Sequence, residues 1–258
     1  MGDFLETLAM DATKTIDSGY YKTSMTTYQP KISLKKAILE CKANPVITEI
    51  KASSPSLGTI RNQFNPKFIA QAMERGGAVG ISVLTEPKHF NGSLQTLVET
   101  REAVNLPILM KDIIIIPEQI EVASQIGANA VLLIEALFEK GYCEMSVDKM
   151  IAFAHAKGLE VLLETHTEEE FQSAVETDAD LIGINNRNLA TLKIDLNTTK
   201  AILEKHKTNG KPVISESGIK TKADLQFLRY CGARAFLIGS SIMLTENIEE
   251  KVKEYVEA

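Results

Sequence analysis

The chain has 258 residues, 44% hydrophobic and 24% charged, the proportions of a globular protein with enough apolar residues to bury a full core. Its 28 basic and 34 acidic side chains leave a net charge of −6, the wrong sign for a general nucleic-acid binder, so an anionic ligand calls for a local site. Three scattered cysteines, Cys41, Cys143 and Cys231, argue against a disulfide framework or a thiolate metal centre and fit a reducing, cytoplasmic compartment.

The first residues, MGDFLETLAMDA, carry acids where a secretory signal carries bases, and Glu6 stands where a myristoylation site has Ser or Thr. No apolar run approaches the roughly 18 residues of a membrane span, so no membrane association is expected. FLETLAM and ISLKKAILEC are helical in pattern and make residues 1–45 an N-terminal helical extension. Two placements are open to it, a plug over the floor of the following domain or a cap beside its active face.

From residue 46 to 258 short β-branched runs recur: VITEI (46–50), VGISVL (79–84), PILMK (107–111), AVLLI (130–134), VLLE (161–164), LIGI (181–184), PVISE (212–216) and AFLIG (235–239). None alternates apolar with polar, the habit of parallel strands buried on both faces. Their starts lie 20 to 33 residues apart, room for one loop and one helix after each. Helix signals fill the gaps. Pro66 opens a segment closed by Gly76-Gly77, Pro117 opens one closed by Gly127, Thr167 precedes EEEFQSAV, and Thr221 precedes KADLQFLRY with Asp224 three residues on. Eight βα units without a Gly/Ser/Pro-rich linker predict one (β/α)₈ TIM barrel, the open doubly wound sheet being the alternative, and the glycine-bearing loops after strands 7 and 8 make it one of the phosphate-binding type.

In such a barrel the reactive groups belong at the C-terminal strand ends. Strand 1 ends TEIK, which puts Glu49 and Lys51 on one face; strand 3 ends in Lys111, strand 5 in Glu164, strand 6 in Asn185 and Arg187, strand 7 in Glu216 and Ser217. Any one of these is unremarkable at a strand end, but several polar groups at the same end point to chemistry. Glycine-bearing loops follow strand 1 (SSPSLG), strand 7 (SESGIK) and strand 8 (IGSSIM). The last two are the usual phosphate site of this architecture, where backbone N–H groups hold a dianion, and they predict a phosphorylated small-molecule substrate. The spacing further predicts that phosphate binding on strands 7 and 8 is separable from acid chemistry on strand 3. The four histidines form no H-x-H or H-E-x-x-H, and no dinucleotide or nucleotide-triphosphate loop occurs, so neither metal nor cofactor is expected. A Schiff-base lysine at 51 or 111 is disfavoured by the carboxylates beside them, which keep an ammonium charged.

The motifs PVITEIKASSPS, GISVLTEPKHFNGSL, LPILMKD, GANAVLLI, LLETH, IGINNRNL, SESGI and FLIGSSIM stand in an order that resembles the indole-3-glycerol phosphate synthase family along nearly the whole chain. The resemblance implies a cofactor-free lyase of tryptophan biosynthesis that closes the indole ring of 1-(2-carboxyphenylamino)-1-deoxy-D-ribulose 5-phosphate with loss of CO₂ and water. It further implies Glu49, Lys51, Lys111, Glu164 and Asn185 as catalytic residues, with Lys111 the first general acid. Ser54, Ser217, Gly218, Gly239 and Ser240 are then phosphate-binding; Ser54, Phe90, Ile113, Leu132, Arg187, Leu189, Glu216 and Leu237 contact substrate. Two residues depart from the family pattern, Ile113 where Phe is common after K-D and Leu57 where Lys often follows S-P-S. The runners-up are another phosphate-binding isomerase barrel, such as one acting on phosphoribosyl anthranilate, and a silent barrel that only binds a phosphate ligand. Glu49, Lys51 and Lys111 together weigh against both.

Overall fold

In the computed structural model, which describes residues 4–28, 30–54, 58–61, 64–189 and 191–258, eight parallel strands close into a barrel. In chain order they are β1 (Val46–Ile50), β2 (Gly80–Leu84), β3 (Ile108–Lys111), β4 (Ala130–Ile134), β5 (Glu160–Thr165), β6 (Leu181–Asn185), β7 (Val213–Glu216) and β8 (Ala235–Ile238). Each boundary falls within one residue of its apolar run in the sequence. β8 pairs with β1, Leu237 opposite Ile47, and this last pairing excludes the open sheet. A two-stranded ribbon, Ser53–Ser54 against Gly58–Thr59, sits in the loop after β1.

The absence of alternation has a simple cause. Outward positions such as Ile81, Val83, Val131, Leu133, Ile182 and Phe236 are sealed under the helices, while inward positions such as Ile47, Leu109, Leu132, Leu162 and Ile214 fill the barrel. Helix starts follow their local signals: Asn65 accepts from the Phe68 amide with Pro66 in the first turn, Thr167 accepts from the Glu170 amide, and Thr221 and Asp224 complete a reciprocal capping box.

The two halves of the extension take the two placements open to it. The helix Leu34–Glu40 lies under the barrel, where the Glu160 carboxylate at the start of β5 accepts from Leu34 N at 2.7 Å, Lys35 N at 3.1 Å and the Ser33 hydroxyl. A carboxylate at a helix N-terminus satisfies free amides and the helix dipole together. The helix Phe4–Asp17 lies over the opposite end. Its buried Asp11 pairs with Lys88 at 2.6 Å and His89 at 3.0 Å, both on the loop after β2. Among the described residues no helix is long and apolar enough to cross a membrane.

Candidate active site

Strand geometry selects which side chains meet. Successive residues point to opposite faces, so Glu49 and Lys51, Lys111, Glu164, Asn185 and Arg187, and Glu216 all project inward at the C-terminal end of the barrel. They line a cavity of about 380 Å³. At its floor Lys111 Nζ donates to Glu164 Oε2 at 3.0 Å and to Glu216 Oε2 at 2.8 Å. Beside this cluster Lys51 Nζ stands 2.6 Å from Glu49 Oε1. These two lysines and three glutamates thus share one end of the barrel with Arg187.

Glycines make room for them. A Cβ on Gly183 of β6 would overlap Glu216 Oε1, and one on Gly239 would overlap Glu49 Oε1 and stand 2.9 Å from Lys51 Nζ. At Gly239, in the loop after β8, a single added side chain would strike the Glu49–Lys51 pair. The physical reason is closure, which sets the end of β8 directly against β1.

Burial opposes a charge on Lys111, but Glu164, Glu216 and Glu49 outweigh it, so its ammonium is held above the usual lysine range. That agrees with a charged Lys111 rather than a Schiff-base amine. Burial raises the proton affinity of Glu164, yet Lys111 and His166 overcome it and keep this carboxyl well below the ordinary range. Glu216 goes the other way. Burial, reinforced by the charge on Glu164 and only partly offset by Lys111, pushes its carboxyl up. The two acids are therefore unequal despite sharing one lysine.

Around the rim, Asn185 Oδ1 accepts from the Arg187 amide at 3.0 Å, and the Arg187 guanidinium donates to Leu192 O at 3.2 Å within the loop after β6. Phe90, Ile113, Leu132, Leu189 and Leu237 form apolar walls, with Phe4 and Leu8 of the N-terminal helix above them. Ile113 is only 5% exposed and packs in the inner cluster with Ile134 and Leu137.

Ser217, Gly218, Gly239 and Ser240 gather on one side of the cavity. Ser217 and Gly218 take positive φ, 66° and 91°. Asn186 holds the turn there, its amide donating to Ser215 Oγ at 3.0 Å, Glu216 O at 2.9 Å and Ser217 O at 3.1 Å. Tyr255 Oη, 2.7 Å from Lys220 O and 3.0 Å from Ser241 Oγ, pins the loops after β7 and β8 together. Ser54 is the exception among the expected residues: its backbone lies in the ribbon, while its side chain, like the departure at Leu57, lies outside the described residues.

Sequence reasoning passed over four polar groups. His166 sits behind Glu164, and the alternation that paired Glu49 with Lys51 also pairs Glu164 with His166. Asp112 lines the cavity beside Lys111, accepting from Thr85 Oγ1 at 2.5 Å and the Ile113 amide at 2.8 Å; burial pushes its carboxyl up to about 6. Glu86 and Lys220 also reach the cavity, on loops that no period describes.

Comparison with known proteins places these features in context. The family model described as indole-3-glycerol phosphate synthase matches residues 7–255. Relatives carrying that name include one from Methanocaldococcus jannaschii, 49% identical over 231 residues, covering 88% of this chain and 84% of the relative. Another, from Aquifex aeolicus, is 41% identical over 221 residues, with 85% and 84% covered. Among solved structures, a thiamine phosphate pyrophosphorylase from Pyrococcus furiosus aligns with a TM-score of 0.60 at 18% identity, covering 84% of this chain and 95% of its own. An N-acetylmannosamine-6-phosphate 2-epimerase from Clostridium perfringens gives 0.62 at 16% identity, covering 84% and 93%. These two likenesses concern the fold alone.

Proposed function

The chain belongs to the indole-3-glycerol phosphate synthase family, and from that premise we propose how its site residues divide the reaction. The enzyme is a carboxy-lyase of tryptophan biosynthesis, EC 4.1.1.48, that converts 1-(2-carboxyphenylamino)-1-deoxy-D-ribulose 5-phosphate to indole-3-glycerol phosphate, CO₂ and water. We read residues 46–258 as its catalytic barrel and residues 1–45 as an extension packed on it.

Ring closure begins when the aryl carbon bearing the carboxylate attacks the ketone, and the ketone oxygen gains negative charge. Lys111 supplies the proton. Its raised proton affinity does not prevent this, because an alkoxide is a far stronger base than an amine. The condensation leaves a cationic, iminium-like intermediate, which the ionised Glu164 and the nearby Glu49 stabilise as carboxylates. Breaking the C–CO₂⁻ bond sends its electron pair into that cation. Loss of the former ketone oxygen as water, assisted by the Lys51 ammonium, and of a proton completes the indole. Glu216, whose carboxyl is pushed up, exchanges protons with Lys111 and restores its charge.

Before reaction Lys51 and Arg187 hold the substrate carboxylate, Asn185 orients the substrate, and Phe90, Ile113, Leu132, Leu189 and Leu237 enclose the aryl ring. Ser54, Ser217, Gly218, Gly239 and Ser240 take the phosphate. The observation that carries this assignment is the Lys111 ammonium bound between two buried carboxylates at the cavity floor. Incubating the protein with the carboxyphenylamino deoxyribulose phosphate, while following indole absorbance and CO₂ release, tests it. One CO₂ per indole, lost in Lys111→Ala, is expected. Rapid turnover in Lys111→Ala would reassign the acid, Lys51 being the next candidate.

A further inference from the structure

His166 follows β5 by one residue and is buried at 7% side-chain exposure, yet it is not among the cavity-lining residues. Its ring lies between two acids. Nε2 stands 3.2 Å from Glu164 Oε1, off the N–H axis, so this contact is an ion pair rather than a hydrogen bond. Nδ1 lies 3.3 Å from Glu170 Oε2, which also accepts the His166 main-chain amide at 2.7 Å. A neutral imidazole can donate to Glu170 but brings no charge to Glu164, whereas an imidazolium keeps the Glu170 bond and sets a cation beside Glu164. The remaining charged groups nearby belong to the same set: Lys111 and Glu216 face Glu164 from β3 and β7, and Glu135 and Glu139 face Glu170 from the helix after β4.

We propose that His166 is a positioning residue that, as an imidazolium fastened to Glu170, clamps Glu164 in the ionised rotamer that faces Lys111 and the substrate. Glu164 then has a cation on each oxygen, Lys111 on the cavity side and His166 behind. The rear cation keeps Glu164 a carboxylate when Lys111 gives up its proton, the moment at which the intermediate becomes cationic. The surroundings agree, since burial, which opposes charge on the ring, is overcome by Glu164 and Glu170 and the imidazole is raised to about 9. This inference rests on the role given to Glu164 above.

The test compares His166→Gln, Glu170→Gln and Glu164→Gln across pH. In His166→Gln kcat should fall about tenfold with KM within about threefold, and its acid limb should move up by roughly one pH unit, because Glu164 has lost a cation. An acid limb at its original position overturns the proposal, whatever kcat does. Glu170→Gln, which keeps the hydrogen-bonding shape, should lower the ring titration of His166 followed by NMR, and an unmoved titration equally overturns it. Glu164→Gln separates the two levels: a normal kcat there removes the role of Glu164, whereas a slow Glu164→Gln beside an unaltered His166→Gln removes only the clamp.

Discussion

Gly183→Ala is the sharpest probe of the carboxylate cluster, because it adds one methyl group at a defined place. A Cβ there would sit inside the contact distance of Glu216 Oε1 by about 1 Å and only 3.4 Å from the Glu164 Cα. The obstructed atom is the end of a flexible side chain, so it can move while β5 and β6 stay in place. Moving it draws Glu216 away from its 2.8 Å bond with Lys111 and leaves the lysine to Glu164 alone. A displacement of about 1 Å at reacting groups costs on the order of 10²-fold in rate. Thermal stability should change little, because alanine suits a strand better than glycine by roughly 0.5–1 kcal/mol and offsets the local crowding. Steady-state kcat measured beside a thermal melt therefore separates the accounts. A kcat within threefold of the parent would refute the geometry, and a drop in melting temperature with intact kcat would show strain in the core instead.

Lys111→Ala should lower kcat by roughly 10²-fold or more in a folded protein, as read by indole absorbance. Turnover should persist undiminished in EDTA, and a strict metal requirement would remove the mechanism. Gly239→Leu should weaken inorganic phosphate binding in a titration and also slow catalysis, since its side chain meets Glu49 and Lys51; weakened phosphate binding with normal kcat would contradict that placement. Ile113→Phe should weaken binding of indole-3-glycerol phosphate and cost roughly 1–3 kcal/mol of stability, because Ile113 is nearly buried in the packed inner cluster and a larger ring has to displace its neighbours. Tighter binding would mean that a stacking ring is missing there. For Asp112, a folded pKa of about 6 lies above the unfolded value, so the favourable neutral form is present below about pH 4 and lost as pH rises through 6. Asp112→Asn should accordingly gain stability relative to the parent across that window, and denaturant melts at pH 4 and 6.5 showing a constant difference would refute the assignment.

Much of this protein is written in local pattern. Eight apolar runs fix eight strands to within a residue, because a strand buried on both faces needs continuous β-branched residues wherever it lies. Alternation fixes which side chains share a face, and that alone brings Glu49 to Lys51 and sets Lys111, Glu164 and Glu216 inward at one end. The family motifs lie on the same positions, so the chemistry was legible from them. Distances across the barrel were not. Lys111 meets Glu216 across 105 residues of chain only because closure curls β3 and β7 around one axis. His166 finds Glu170 because the β5 loop turns straight into a helix, and a helix period and a strand period must then be added in three dimensions. The extension divides between the two barrel ends for a similar reason: its floor helix is captured by the Glu160 carboxylate and its upper helix by Lys88 and His89, partners set by tertiary contact. Gly183 and Gly239 are the clearest instance, since what a missing side chain leaves room for depends on the strand beside it, which a linear sequence does not contain.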